Sequence, residues 1–499
     1  MDDAKRRDRD ETGFAGPEVS RIKRTAIMPS AADFRALART IEGQLIVPGS
    51  PEYETLRKPA MVRFGNVRPA AIVRCKAPAD VSEAVAFARR FGLQTATRSG
   101  GHSVAGRSST EGLLIDVAPM RSLSVAGGVA TVGAGVRLGG LYDALQEHGL
   151  TIPAGCGSAV GIARLTLGGG IGILGRKYGL TCDHLRRAEV VMADGRVVAC
   201  DEHAEAELFW ALRGAGGGNF GVVTSFVFRT VPAPAAKVFH LGWPLALAAR
   251  VVEAWQVWAP TAPNELDATL RLSAVGDGVH PPVVDLFGTM LSGEADAAQV
   301  LDDLVARIGA EPAWASHRHM SHREAKRYLD GLKPVEDRGE QAAPNQAPEQ
   351  GPIFSKSEFF RRLLPPDTIA ALVKNLTRGL AMGHSREIAF LPWGGAYNRV
   401  RAEDTAFVHR DERFLVQHLL VVDAHSVTTE QHAADGWLAR SWALVHPWGS
   451  GGVYPNFPDS DLQDWPHAYY GRNYDRLLRV KAKYDPDNFF RFHQSLSAS

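Results

Sequence analysis

The segment Arg98-Ser99-Gly100-Gly101-His102-Ser103 opens a stretch that runs through Pro153-Ala154-Gly155-Cys156-Gly157 to Leu167-Gly168-Gly169-Gly170-Ile171-Gly172. Three glycine clusters this close mark three places where the backbone bends sharply or meets a ligand at close range, because only glycine does so without steric cost. Successive amides in such turns form concavities that bind anions, a pyrophosphate among them. One imidazole, His102, and one thiol, Cys156, stand among these glycines. A histidine in a turn is often structural, but a loop of glycines and serines offers no apolar wall to bury it. Cys156 sits between two glycines, so its sulfur is either an accessible reactive group or a small inert thiol.

Working outward, residues 30–41 show helical spacing behind a Ser30 cap, and residues 69–75 read as a strand. Residues 80–92 form a capped helix stopped by Gly92, and residues 93–98 a second strand that feeds the His102 loop. A glycine turn at the C-terminal end of a strand is where open α/β units bind ligands. Strands follow at 113–116 and 129–135, then a helix at 138–148. Residues 187–200 read as a hairpin turning at Asp194-Gly195. A helix at 205–213, a glycine loop at 214–221 and a strand at 222–230 complete this part, and Pro232-Ala-Pro234 closes it.

Beyond it, helices at 245–258, 294–308, 368–380 and 430–444 alternate with strands at 283–290, 387–392 and 413–422. That pattern predicts an α+β unit, an antiparallel sheet covered by helices. The expected division is therefore a disordered extension at 1–29, with Met28 as an alternative start, and a first unit at 30–234. A second unit spans 235–447, and a segment at 448–499 returns to the first. Residues 333–351, rich in Pro, Gln and Glu, read as a mobile surface loop, and 465–484 as one helix.

A chain of 499 residues exceeds a single core. Its net charge of +1 gives no electrostatic case for nucleic acid or an anionic membrane. No run approaches the ~20 apolar residues a membrane helix needs. The charged N-terminus lacks an export signal's apolar core, which points to the cytoplasm. The four cysteines show no C-x-x-C pair and no zinc-like spacing, so no metal site is expected. Cys75, Cys182 and Cys200 read as small buried residues. Gly170-Ile-Gly172-Ile-Leu-Gly175 spells G-x-G-x-x-G with Asp194 downstream, the nicotinamide spelling. Its context is wrong, since Asp194 falls in a hairpin turn and Gly179 would break the following helix.

Taken together, Thr97-Arg-Ser-Gly-Gly-His-Ser103, Gly161-Ile-Ala-Arg-Leu-Thr-Leu-Gly-Gly-Gly-Ile-Gly172 and Arg213-Gly-Ala-Gly-Gly-Gly-Asn-Phe-Gly-Val-Val-Thr224 closely resemble the vanillyl-alcohol oxidase and p-cresol methylhydroxylase (PCMH) superfamily of FAD-linked oxidases. Tyr469-Tyr-Gly-Arg-Asn-Tyr-Asp-Arg-Leu477 and Lys483-Tyr-Asp-Pro-Asp-Asn-Phe489 resemble its berberine-bridge-enzyme-like branch. The resemblance spans residues 30–496 and is weakest in the middle. It implies an α+β fold: a two-part PCMH-type FAD-binding domain plus an α+β substrate domain with an antiparallel sheet covered by helices.

The same resemblance implies FAD bonded through His102 at the flavin 8α-methyl carbon, with Cys156 as the thiol that attaches at C6 in bicovalent relatives. It assigns Arg98, Ser99, Gly100, Gly101 and Ser103, with Gly168, Gly169, Gly170 and Gly172, to the loops that hold the pyrophosphate. Gly155, Ser158, Val160 and Gly161 fall along the ring, with amides near Gly155-Cys156 as donors toward N1. Gly221 and Val222 fall near the adenine and ribose. Two departures stand out. Relatives with Cys-Pro-Thr-Val-Gly carry the thiol one residue later, and Arg164 stands where the pattern has glycine.

Tyr454, in Tyr-x-Asn456, matches the tyrosine facing the flavin and is the candidate proton acceptor, with Tyr397 and Tyr470 as alternatives. A phenol with its ordinary pKa of ~10 needs a nearby cation or donor for that task. Where berberine-type enzymes carry a glutamate base, this chain is expected to place Val416, with Gln417 beside it. The implied reaction is oxidation of a small organic substrate (sugar, alcohol, phenol or natural-product intermediate) by hydride transfer to flavin N5, with O2 returning the flavin to its oxidised state and yielding H2O2. The alternatives are a dehydrogenase of the same fold and a non-catalytic flavin-binding redox protein. Val104 and Val160 lie near the ring. The aromatics Trp255, Trp258, Tyr328, Trp393 and Trp448 are either substrate walls or core.

Overall fold

The computed structural model describes residues 28–291, 297–332, 351–424, 426 and 428–497, with the side chains of 428–433 left out. The extension expected at 1–29 and the loop expected at 333–351 lie almost entirely outside these residues. Helix Ala31–Thr40 starts as expected, with Ser30 and Asp33 forming a reciprocal capping box.

Strands β1 (Gln44–Ile46), β2 (Ala71–Arg74), β3 (Thr95–Arg98) and β4 (Leu113–Asp116) form a sheet in the order β1-β2-β4-β3. The β2–β4 and β3–β4 pairs are parallel, and helix Pro78–Phe91 makes the crossover from β2 to β3. The glycine loop at 99–103 therefore leaves the C-terminal end of β3. A second, antiparallel sheet begins with β5 (Leu123–Ala126) and β6 (Val129–Gly133). Strand β7 (Leu150–Thr151) lies outside it, and β8 (Leu185–Met192), β9 (Val197–Asp201) and β10 (Gly221–Arg229) give the order β5-β6-β10-β8-β9. The β8–β9 hairpin puts Asp194 in its turn, removing the last support for a nicotinamide site.

After β11 (Val231–Pro232), paired with β7, come β12 (Ala236–Pro244), β13 (Leu266–Val275), β14 (Val283–Leu291), β15 (Trp314–Met320), β16 (Ile353–Phe360), β17 (Ser385–Pro392) and β18 (Phe414–Val421). They make one antiparallel sheet in the order β15-β12-β14-β13-β17-β18-β16. Its period-2 pattern decides what each face does. In β13, Leu266, Ala268, Leu270, Leu272 and Ala274 are buried under helices Ala248–Trp258, Ala297–Ile308, Pro366–Thr377 and Thr428–Val445. The alternate residues Asp267 and Thr269 face the first unit across a chamber.

Residues 465–484 are two helices, not one. Trp465–Tyr470 and Tyr474–Tyr484 are separated by a tight turn at Gly471–Asn473, where Gly471 takes φ 45° and the Asn473 amide is tied to the carbonyls of Ala402 and Thr405. The C-terminal segment then packs into the core of the first unit through Leu477, Val480, Phe490 and Leu496. Lys481 and Asp485, both fully buried, pair at 2.6 Å, and Lys481 also donates to the carbonyls of Asn219 and Phe490.

Candidate active site

Two cavities meet inside the molecule. The first, of about 280 Å³, lies between the His102 loop, Gly161, the Gly217–Val222 stretch and residues 490–494. Its narrowness follows from missing side chains. A Cβ on Gly100 would stand 2.6 Å from the amide nitrogen of Gly161, and one on Gly161 would strike the Ser99 hydroxyl. Gly101 also needs its left-handed φ of +77°. The wall carries Arg107, Arg164, Arg491, His102 and His493 and no carboxylate. A slot built from backbone amides and cations fits a phosphate-bearing ligand.

Ser99, Gly100, Gly101, His102, Ser103, Val160, Gly161, Gly221 and Val222 all line this slot. Arg98 does not. Its guanidinium turns inward to the carbonyls of Ser108, Leu56 and Arg57, and burial lowers its pKa to about 10. It shapes the loop instead of meeting an anion. Gly168, Gly169 and Gly170, expected at the pyrophosphate, line neither of the two cavities. A Cβ on Gly168 would enter the Asn456 amide, one on Gly169 would press on Phe407, and one on Gly170 would enter the Thr181 side chain. These glycines let Asn456, Phe407 and Thr181 come close.

The second cavity, of about 350 Å³, is the chamber between the first unit and the open face of the seven-stranded sheet. It shares His102, Val160 and Arg164 with the first, so the two form one bent space with the imidazole at the bend. Gly155, Cys156, Gly172 and Asn456 are also on its wall, as is Val104. Ser158 is on neither wall, and its amide donates to Asp330 Oδ2 at 3.1 Å. Lys326, on helix His322–Gly331, donates to the carbonyls of Ala154 and Gly155, and Tyr142 donates to the latter as well. The helix thus grips the backbone on both sides of Cys156. Of the other cysteines, Cys75, Cys182 and Cys200 are buried, and burial pushes each thiol up, Cys200 to about 12.

Tyr454 and Tyr397 both line the chamber. Tyr454 Oη accepts from the Gly170 amide and from Asn456 Nδ2, each at 3.0 Å. Burial pushes its pKa up to about 12, against the pull of those donors. Tyr397 is more constrained. Its hydroxyl accepts from the Gly172 amide at 3.3 Å and donates to the Gly172 carbonyl at 3.2 Å. Its ring stacks on Trp393 at 4.2 Å, and burial raises its pKa strongly. Tyr470 is elsewhere, in the first unit's core with its hydroxyl on the Ala215 carbonyl.

The expectation for Val416 is corrected too. Strand alternation turns Val416 into the helix-covered core and puts Gln417 on the chamber wall. Of the middle-unit aromatics, Trp393 lines the chamber, whereas Trp255, Trp258 and Trp448 pack in or against the core and Tyr328 packs against a smaller cluster that includes Ile173 and Val238. Two ionisable groups on the chamber wall, Asp267 and Glu387, are not among the residues singled out from the sequence. Burial raises Asp267 to about 6, with Arg176 and Lys326 opposing. The alternation of Leu266-Asp-Ala-Thr-Leu-Arg-Leu-Ser-Ala-Val275 was the available signal for Asp267.

Comparison with known proteins agrees with this geometry. A family model described as "FAD binding domain" matches residues 69–201, and one described as "Berberine and berberine like" matches residues 453–497. An uncharacterized FAD-linked oxidoreductase of Bacillus subtilis, YvdP, is 32% identical over 464 residues, covering 92% of this chain and 99% of its own. A chitooligosaccharide oxidase of Gibberella zeae is 31% identical over 86% of this chain and 87% of its own. Among solved structures, BBE-like 1 of Physcomitrella patens superimposes with a TM-score of 0.82 at 27% identity, covering 93% of this chain and 99% of that one.

Proposed function

The chain belongs to the berberine-like FAD-linked oxidoreductases, and from that premise we propose that it oxidises a small organic alcohol in the chamber, with FAD bonded through His102 and Cys156 and O2 as terminal acceptor. The observation that carries this reading is the bent pair of cavities with His102 at the bend. Bound FAD would take two electrons from substrate carbon and pass them to O2, giving H2O2. The cationic, glycine-walled slot would hold its phosphates, and Gly155, Val160, Gly172 and Asn456 would flank the ring.

The chain's own task is to place the substrate and take its proton. Tyr454 is the group for that, because it lines the chamber and its oxygen receives two N–H donors, which favour the phenolate. Tyr397 has its hydroxyl committed to Gly172 in both directions and acts as support. Phe287, Leu391, Leu419 and Trp393 offer an apolar surface, with Thr269, Ser355 and Gln417 as scattered hydrogen-bonding groups. That mixture suits a ring with hydroxyls. Sugars, the class named for the chitooligosaccharide oxidase relative, and phenolic or natural-product alcohols are the classes to assay.

Acid precipitation of the purified protein is the first test. The pellet is expected to stay yellow, His102→Ala and Cys156→Ala each to keep one attachment, and the double variant to release all flavin. A colourless wild-type pellet would reject covalent attachment. Peroxide release across sugars and phenols tests the acceptor. Turnover with an artificial electron acceptor but none with O2 would reject the oxidase reading.

A further inference from the structure

Helix Ile162–Leu167 carries one of the cations of the slot, and its place on the chamber wall as well gives that charge a second use. Arg164 lies on the wall common to both cavities. Its Nη2 is closed off from solvent and has no hydrogen-bond partner. Among the described residues its ionisable neighbours are Arg107, which repels it, and the phenols of Tyr454 and Tyr469. Arg107 does not relieve the imbalance, since it reaches Gln494 at 3.1 Å and stacks on Phe492, and its own Nε is buried without a partner. A guanidinium nitrogen closed off from water without a partner is unfavourable. Besides the phosphates proposed for the slot, a negative charge can arise on the chamber side of Arg164 in the working enzyme.

Such charge arises in two places beside it. Tyr454 can accept a proton only as its phenolate, and the cofactor gains negative charge when it takes two electrons. We propose that Arg164 is a positioning residue that keeps a fixed positive charge at the bend, favouring the phenolate of Tyr454 and the negative charge of the reduced cofactor. This rests on the reading of Tyr454 as proton acceptor. The ionisable groups that act on Tyr454 include Arg164 from its helix, Cys182 from the turn Thr181–His184 and Tyr397 from the turn Gly395–Asn398. Of these only Arg164 is a cation, and the other two oppose the phenolate. Asn456 links the parts mechanically, donating to Tyr454 Oη at 3.0 Å and to the Leu165 carbonyl, next to Arg164, at 2.9 Å.

The test uses FAD-loaded Arg164→Gln and Arg164→Lys with three readouts: the cofactor's midpoint potential, its affinity for sulfite, and the pH dependence of kcat/KM. Sulfite adds to oxidised flavin to give an anionic adduct, so its affinity reports local positive charge without turnover. Arg164→Gln is expected to make the potential more negative and weaken sulfite binding by about tenfold. It should also move the acid limb of kcat/KM up by about one pH unit, as loss of a neighbouring cation does. Arg164→Lys should restore all three. Unchanged potential and sulfite affinity in Arg164→Gln would overturn the proposal, as would a lysine variant indistinguishable from the glutamine one. Tyr454→Phe separates the two ideas. An acid limb that persists there rejects Tyr454 as the base, while sulfite affinity with and without Arg164→Gln in that background still decides whether Arg164 supplies the charge.

Discussion

Tyr454→Phe is expected to lower kcat by at least about tenfold, toward about a hundredfold if the whole of a general-base contribution is lost. The covalent flavin should stay in place. The expectation comes from the place of Tyr454 on the chamber wall, with its oxygen receiving the Gly170 and Asn456 donors. Burial pushes the phenol up to about 12, so near neutrality only a small fraction is in the base form. That fraction rises about tenfold per pH unit below the pKa. Wild-type kcat/KM should therefore climb with pH, and the phenylalanine variant should lose that slope. The substitution also leaves the Gly170 amide without an acceptor, at a cost of ~1–3 kcal/mol, so a modest fall in Tm should accompany the kinetic loss. Steady-state turnover against pH checks both, and unchanged turnover with an intact slope would remove Tyr454 from the chemistry.

Much of this site could be read from residue order because the nucleotide-side slot is built from backbone. Ser99 to Ser103, Gly161, Gly221 and Val222 reach one cavity through turns that their own glycines announce. Those signals are local, and so is the Ser30 capping box. What was misjudged depended on which way a side chain points once the chain is packed. Arg98 sits in the glycine motif yet turns inward, and Gly168 and Gly169 make room for Asn456 and Phe407 far along the chain. Val416 and Gln417 differ by one residue, and a pleated strand sends neighbours to opposite faces. Strands β12, β13, β15 and β16 went unread although β13 alternates cleanly along its length. Helix His322–Gly331 was missed despite its Ser321–Glu324 capping box, and with it Lys326, which reaches the backbone beside Cys156.

The same dependence on distant partners gives the largest expected loss of stability, in Asp183→Ala. Asp183 and Arg410 form a two-point ion pair, Oδ1 to Nη2 at 2.6 Å and Oδ2 to Nη1 at 2.9 Å. Their side chains are 8% and 2% exposed. Arg410 also donates to the Tyr397 carbonyl at 3.2 Å and to the Thr405 hydroxyl at 3.1 Å, so the pair joins the turn after the glycine segment to the Tyr397 segment. Around it pack Leu180, Cys182, Trp393, Tyr397, Phe407 and Tyr454, the cluster that floors the chamber. Removing the carboxylate strands a buried guanidinium, which costs ~3–5 kcal/mol. It also deprives the Leu180 amide of its acceptor. A fall in Tm of several degrees is expected in thermal unfolding of the FAD-loaded protein. Asp303→Ala, which breaks the half-exposed pair with Arg307 at 2.9 Å, should change stability by no more than about 0.5 kcal/mol. Asp183→Ala combined with Arg410→Met should be milder than Asp183→Ala alone, because the orphaned charge leaves with its partner. Equal losses in the single and double variants would mean that packing, not the charge pair, holds this floor together.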